Sequence, residues 1–168
     1  MDKANEKFSS FVKTTIDELL AQEDDFELCD GVFGCFADLN NSIEVESYTE
    51  EQRIVTLVWH ASGIIGNGGF EYLFEGEFNG DPGFIYTAAA FATIGARASY
   101  QALQRALACF GSDYPSNTKS RNAIFERVPK SERESINHQF WDDDANMRAA
   151  LARYIREHRI TFRTLLTH

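Results

Sequence analysis

The stretch that decides the fold is residues 66–76, which read Gly66-Asn67-Gly68-Gly69-Phe70-Glu71-Tyr72-Leu73-Phe74-Glu75-Gly76. Before it, apolar residues recur at helical spacing from Ile54 to Ile65, so the sequence predicts a helix that stops at Gly66 in the left-handed conformation. Asn67 is then placed to cap a second helix. Glycines at 68 and 69 accept backbone angles that a side chain would forbid, which lets the second helix begin almost where the first one ends.

The second helix should be amphipathic. Phe70, Leu73 and Phe74 fall on one face, while Glu71 and Glu75 share the other. A phosphate-binding loop would follow a strand and carry a Lys-Ser/Thr pair, and this stretch has neither feature. We therefore interpret the motif as a tight turn between helices, a structural motif formed by Gly66, Asn67, Gly68, Gly69 and Phe70.

The rest of the sequence also predicts helices. Apolar faces recur in an N-terminal helix (Phe8, Phe11, Val12, Ile16, Leu19), in a second one capped by Asp24 or Asp25 (Phe26, Cys29, Val32, Phe33, Phe36), and in the last long helix (Met147, Leu151, Tyr154, Ile155). Two further helices should end at Gly95 and Gly111. Three start signals are two capping boxes and one Asp-Pro start: Thr49 with Gln52, Ser131 with Glu134, and Asp81 with Pro82.

These patterns predict an all-α fold, a single-domain helical bundle of about seven to nine helices with little or no sheet. The 168 residues fit one domain over residues 1–168, with acidic N-terminal helices at 3–38. A hydrophobic content of 43%, with 14 phenylalanines, supplies a core. We expect that core to contain Trp59, Phe70, Leu73, Phe74, Phe91 and Leu103.

Location and thiol state follow from simple patterns. The N-terminus has neither a basic start nor an apolar signal segment, and no run of about eighteen apolar residues occurs, which predicts a cytoplasmic protein without a membrane partner. Cys29, Cys35 and Cys109 are odd in number and lie among apolar residues. We expect reduced, buried thiols rather than a disulfide framework.

Charge is distributed unevenly along the chain. The formal charge is −10, but residues 1–82 hold 18 acidic and 4 basic side chains, a net of −14, whereas residues 83–168 hold 8 acidic and 12 basic ones, a net of +4. One interpretation is an acidic face that meets a basic partner. The other is the ordinary solubility charge of a cytosolic domain.

Carboxylates of the first half could form rows. Residues three or four apart on a helix lie roughly 5–6 Å from each other, close to the interval between phosphates along one nucleic-acid strand. A helix face could therefore present charges to a groove lined with Lys and Arg. The candidate partner-binding residues are Asp17, Glu18, Glu23, Asp24, Asp25, Glu27, Asp30, Glu44, Glu46, Glu50 and Glu51.

No catalytic, metal or cofactor site is predicted. Of the four histidines, only His138 has a ligand-type partner at helical spacing, Asp142, and the two are better interpreted as a surface pair. Residues 142–144 are three consecutive aspartates whose side chains point in different directions. We expect a solvated run at a helix end rather than a divalent-metal site.

The sequence resembles the DNA-mimic-protein family of small, acidic, helical proteins. The resemblance covers roughly residues 50–160 and rests on Asn67-Gly68-Gly69-Phe70, Trp59, Ile94-Gly95-Ala96, Tyr154-Ile155-Arg156 and His158. Where the family usually has a Gln or similar polar residue and an aromatic after the Phe, this chain has Glu71-Tyr72-Leu73-Phe74. The family's mimic residues cannot be carried over, because no motif ties them to positions here.

The resemblance implies a decoy that occupies the basic nucleic-acid-binding surface of a partner protein, either a DNA-binding protein or a nuclease, without binding nucleic acid directly. One alternative is an immunity-type inhibitor of a basic toxin. Another is an enzyme that uses Asn67, Glu71 and His60. Association into a homodimer is left open.

Overall fold

The computed structural model describes residues 15–37, 45–76, 78, 81 and 83–167. Across these residues the regular structure is helical and contains no strand, which confirms the all-α prediction. After a helical segment at residues 15–19, the α-helices are α1 (Asp25–Ala37), α2 (Glu50–Glu75), α3 (Ile85–Ile94), α4 (Arg97–Ala108), α5 (Thr118–Phe125), α6 (Lys130–Trp141), α7 (Asp144–Glu157) and α8 (Arg159–Leu166), with a 3-10 turn at Val45–Ser47.

Helix α2 lies at the centre of the bundle. It packs against α1, α3, α5, α6 and α7, while α4 packs on α3 and α6, and α8 follows α7. No helix among the described residues is both long and apolar enough to cross a membrane. The central position of α2 means that its shape sets where most of the other helices can pack.

The start of α2 confirms the predicted capping box. Gln52 N–H donates to Thr49 Oγ1 at 3.3 Å, and Thr49 N–H donates to Gln52 Oε1 at 3.1 Å. Two backbone donors that the helix cannot satisfy are thereby bonded.

The second predicted capping box is wrong. Helix α6 begins at Lys130 after Pro129, so Ser131 and Glu134 both lie inside the helix. Pro129 sets the start instead. Proline has no N–H to donate to a carbonyl of an earlier helical turn, and its ring would clash with that turn, so the helix does not extend toward the N-terminus through this position. Glu134 forms an ion pair with Lys130.

Asp81 caps α3, but not from the predicted position. The helix begins at Ile85 after Phe84, whose φ is 57°, and Pro82 lies outside the described residues. The Asp81 carboxylate accepts from Thr87 N–H at 2.7 Å, from Thr87 Oγ1 at 2.7 Å and from Tyr86 N–H at 3.2 Å. The left-handed residue reverses the chain so that a carboxylate further upstream reaches the helix terminus.

Of the two helices predicted to end at a glycine, one ends at the predicted residue and the other ends three residues earlier. Gly95 ends α3 with φ 78°, as predicted. Helix α4 ends at Ala108, and hydrogen-bonded turns continue to Gly111, where φ is 71°. The apolar residues of the sequence keep nearly helical spacing through these turns, so the pattern alone does not show that the α-helix has ended.

Helix α1 confirms the predicted cap at Asp24, whose Oδ1 accepts from Glu27 N–H at 2.9 Å. Cys29, Val32 and Phe36 are buried, whereas Phe26, on the same predicted apolar face, is 47% exposed. In the predicted N-terminal helix, Ile16 and Leu19 are described, and Phe8, Phe11 and Val12 lie outside the described residues.

Five of the six predicted core residues are buried. Trp59 is the exception, since it is half-buried and its indole N–H donates to Asp30 Oδ1 at 3.1 Å. An indole at the edge of the core keeps its polar N–H near the surface, which explains the difference. The prediction of buried thiols is wrong for Cys35, which is exposed, whereas Cys29 is buried and Cys109 half-buried. Burial raises the pKa of Cys29 to about 12.

Phe74 is the hub of an aromatic cluster. Its ring lies edge-on to four others at centroid distances of 4.8 Å from Phe110, 5.0 Å from Phe125, 5.9 Å from Phe84 and 6.3 Å from Tyr114. The cluster joins α2, α5 and the turn after α4. Beside it the buried Arg121 donates to the carbonyl oxygen of Gly76 at 3.0 Å.

We expect Phe74→Ala to lower the free energy of unfolding by about 3–5 kcal/mol, because the site is fully buried and truncation of the ring leaves a cavity. Urea denaturation followed by circular dichroism measures this. Ile85→Ala is the control, since Ile85 is 75% exposed and its truncation should change stability by less than about 0.5 kcal/mol. Equal effects of the two substitutions would show that Phe74 is not a core anchor.

Candidate protein-binding surface

The Asn-Gly-Gly-Phe motif forms a break inside α2, not a turn that begins at Gly66. Helical backbone continues through Gly66 and Asn67, and the angles become non-helical at Gly68 (φ −152°, ψ 17°) and Gly69 (φ 71°, ψ −167°). The predicted stop at Gly66 is therefore wrong by two residues. Asn67 does not cap the next segment either, because its Nδ2 donates back to the Gly63 carbonyl at 2.8 Å.

Helix α6 supplies the hydrogen-bond partners that fix the break. Asn137 Oδ1 accepts from Phe70 N–H at 3.0 Å, and Trp141 Nε1 donates to the Ile65 carbonyl at 2.9 Å. One side chain thus bonds the start of the helical segment after the break, and the other bonds the last turn before it. Helix ends need such partners when they are buried, which is why the break occurs where α6 can reach it.

Glu71 holds Asn137 in the required orientation. Asn137 Nδ2 donates to Glu71 Oε2 at 3.1 Å, and Arg133 pairs with Glu71 Oε1 at 2.8 Å. Arg133 Nε also donates to the Val128 carbonyl at 3.2 Å. Arg133, Asn137 and Trp141 are spaced four residues apart and share one face of α6. That spacing is visible in the sequence, but it was not among the predicted features, because a polar face of a helix is usually solvated.

The three residues of the enzyme hypothesis are directed to different partners. The ring of His60 lies 6.3 Å from that of Phe33 and 5.2 Å from that of Phe78, and burial lowers its pKa. Glu71 is engaged by α6, and Asn67 bonds its own helix. Each of the three side chains thus has its own partners among the described residues.

Among the candidate carboxylates between residues 17 and 30, Glu18, Glu23 and Glu27 are the most available. All three are exposed, and within the described part of the chain no cation forms an ion pair with them. Asp24 is exposed as well, although one of its oxygens caps α1. These four residues lie at the exposed start of α1 and in the segment before it.

Arg156 of α7 fixes the same segment. Its guanidinium pairs with Asp25 Oδ1 at 2.7 Å and donates to the carbonyl oxygens of Glu23 at 2.9 Å and Gln22 at 3.2 Å. Asp17 is held in a similar way by Arg163 of α8. Arginines of the second half therefore pair with two of the predicted partner-binding carboxylates, and Arg156 also holds the backbone of Glu23.

Glu50 and Glu51 occupy the first turn of α2, where the helix dipole favours negative charge. They lie near the hydroxyl of Tyr154, whose pKa rises to about 12 because of burial and then of the charges of Glu51 and Glu50. Glu44 and the side chain of Glu46 lie outside the described residues. The charges of these two glutamates therefore act on Tyr154 of α7.

The aspartate run at residues 142–144 links α6 to α7. Asp143 Oδ2 accepts from Ser99 Oγ at 2.7 Å and from Ser99 N–H at 3.0 Å, while Asp144 pairs with Arg148. Asp142 is exposed, but Asp143 and Asp144 are half-buried and bonded, so the predicted solvated run is wrong for these two residues. Within the described residues, no group of three His, Cys, Asp or Glu side chains could hold a metal ion.

Gly69→Ala should destabilise the protein by at least about 1–3 kcal/mol. The positive φ disfavours any side chain, and a Cβ at this position would lie 2.4 Å from Asn137 Nδ2. Gly66→Ala is the matched control in the same helix, because a Cβ there meets open space and should raise stability by about 0.5–1 kcal/mol. Thermal denaturation of both variants tests the position of the break, and destabilisation by Gly66→Ala alone would contradict it.

A double-mutant cycle tests the contact itself. Asn137→Ala leaves the buried Phe70 N–H without its acceptor and should cost about 1–3 kcal/mol. The same change removes the atoms that clash with a Cβ at residue 69. The double variant Gly69→Ala/Asn137→Ala should therefore be more stable than the sum of the single effects allows, whereas strict additivity would mean that the two residues do not interact.

Comparison with known proteins places the chain in a family. The DMP19-like protein family model covers residues 46–158, which include the break in α2, the α6 residues that bind it, and Arg156. Neither the curated proteins nor the solved structures contain a match to this chain. Because the family model spans well over half of the chain, the protein belongs to the DMP19-like family.

Proposed function

We propose that this chain is a protein-binding module that acts as a DNA mimic, occupying the basic nucleic-acid-binding surface of a partner protein. Membership in the DMP19-like family and the acidic first half support this proposal. Glu18, Glu23, Asp24 and Glu27 present the charge, since each is exposed and none is paired with a cation of the described residues.

The observation that carries the proposal is the anchoring of the acidic segment by Arg156. Two backbone carbonyls and one carboxylate from residues 22–25 converge on a single guanidinium. The backbone that carries Glu23, Asp24 and Glu27 is thereby ordered before a partner arrives. A decoy gains affinity from such order, because less conformational entropy is lost on binding.

Long-range attraction adds to the contact. A net charge of −10 favours encounters with a basic protein, and complementary potentials raise the association rate more than they raise the final affinity. Exposed carboxylates are screened beyond about 8 Å at physiological ionic strength. Binding should therefore weaken steeply with added salt.

The test variant is Glu23→Lys/Glu27→Lys, which reverses two exposed charges without removing the cap at Asp24 or the ion pair of Asp25. The immobilised native chain should capture basic DNA-binding proteins from a cell lysate at low salt and release them when duplex DNA is added. We expect the variant to capture them at least about tenfold more weakly. Each reversed charge places like charges next to each other at the interface, and two such changes together cost more than about 1 kcal/mol of binding free energy.

The matched control is Asp113→Lys/Glu126→Lys, which makes the same change in net charge at exposed positions after α4 and α5. It should lose much less affinity, and both variants should keep the native melting temperature within a few degrees. An equal loss of affinity in the two variants would show that binding depends on net charge and not on the position of the carboxylates. Capture that is indifferent to salt and to added DNA would rule out the decoy mechanism. In a mobility-shift assay, the chain itself should not bind DNA.

A further inference from the structure

An exposed aromatic ring lies in the middle of the acidic segment. Phe26 is 47% exposed although the Trp59 ring lies 5.5 Å away, measured between centroids. The guanidinium of Arg148 already lies over this ring, 5.6 Å from its centroid. Phe26 therefore contacts one arginine within the molecule and keeps about half of its surface open.

Asp30 lies beside this ring in a fixed orientation. It follows Phe26 by one turn of α1, and its Oδ1 accepts from Trp59 Nε1 at 3.1 Å. Because Phe26 and Asp30 both contact Trp59, the ring and the carboxylate are held next to each other. The second oxygen, Oδ2, accepts no hydrogen bond from the described residues and remains available to a donor from outside.

A ring with a carboxylate at its edge fits a planar cation. A guanidinium can stack on the ring face and donate to the carboxylate with two N–H groups, whereas an ammonium offers only a point charge. Arginines that bind nucleic acids make the same two contacts, since they stack on bases and pair with phosphates. Phe26 can stand in for a base, and Asp30 and Glu27 for the phosphates beside it.

We propose that Phe26, Trp59 and Asp30 form a docking site for an arginine side chain of the partner's basic surface. This proposal rests on the proposed function and adds a specificity for arginine over lysine. Charge complementarity argues for this occupant, since Glu23, Asp24 and Glu27 flank Phe26 in sequence, are exposed, and would repel an acidic or anionic partner.

Two fluorescently labelled peptides test the site, a nonamer of arginine and a nonamer of lysine, with binding followed by anisotropy at low and physiological salt. The native chain should bind the arginine peptide more tightly. Phe26→Leu keeps the apolar volume and removes the ring face, so it should weaken the arginine peptide about 2–5-fold and leave the lysine peptide nearly unchanged. Asp30→Asn should reduce the same preference.

Tyr72→Leu is the matched control, because Tyr72 is also an exposed aromatic but lies in α2 after the break. It should leave both affinities unchanged. If the native chain binds both peptides equally and Phe26→Leu alters neither, the arginine site is wrong while the decoy function stands. If neither peptide binds even at low salt, the proposed function fails with it.

Sedimentation of the native chain and of Phe26→Leu tests whether a second copy of this chain, and not a partner's arginine, occupies the site. The proposal expects the same oligomeric state for both proteins. A dimer of the native chain that dissociates in Phe26→Leu would show that a second copy covers the ring, and would overturn the proposal. Thermal melting of each variant confirms that the comparison is made between folded proteins.

Discussion

The hydrogen bonds between α6 and the break in α2 set the geometry of the bundle. Asn137 and Trp141 bond the two sides of the break, and Glu71 with Arg133 fixes the asparagine. Without these partners, polar backbone groups near residue 69 would be buried and unsatisfied, and a continuous helix would be more stable. The break turns the last segment of α2 so that Phe74 reaches α5 and the turn after α4.

The acidic surface depends on a similar contact between distant parts of the chain. Asp25 and Arg156 are 131 residues apart in sequence, yet their ion pair positions the segment that carries the exposed glutamates. The division of charge along the sequence is therefore not a division between two faces. Some arginines of the second half lie among the acidic residues of the first, and the remaining negative charge is concentrated on fewer side chains.

Local signals in the sequence predicted the local features well. The capping box at Thr49, the cap at Asp24 and the helix end at Gly95 depend on residues within five positions of each other, so the sequence carries them directly. Trp59 was wrongly predicted as a core residue, and the exposure of Phe26 did not follow from its place on an apolar face. Their apolar character is visible in the sequence, but their exposure depends on how the start of α1 packs against α2 and α7.

The sequence by itself determined the helical class, the buried aromatic core and the acidity of the first half, because helical spacing and composition act over a few residues. The position of the break and the choice of exposed carboxylates were decided only by the tertiary structure. Gly66, Gly68 and Gly69 all permit a break, and α6 selects Gly69 by placing Asn137 against it. Likewise, Glu23 and Asp25 are equally acidic in sequence, but only Asp25 lies within reach of Arg156 as an ion-pair partner.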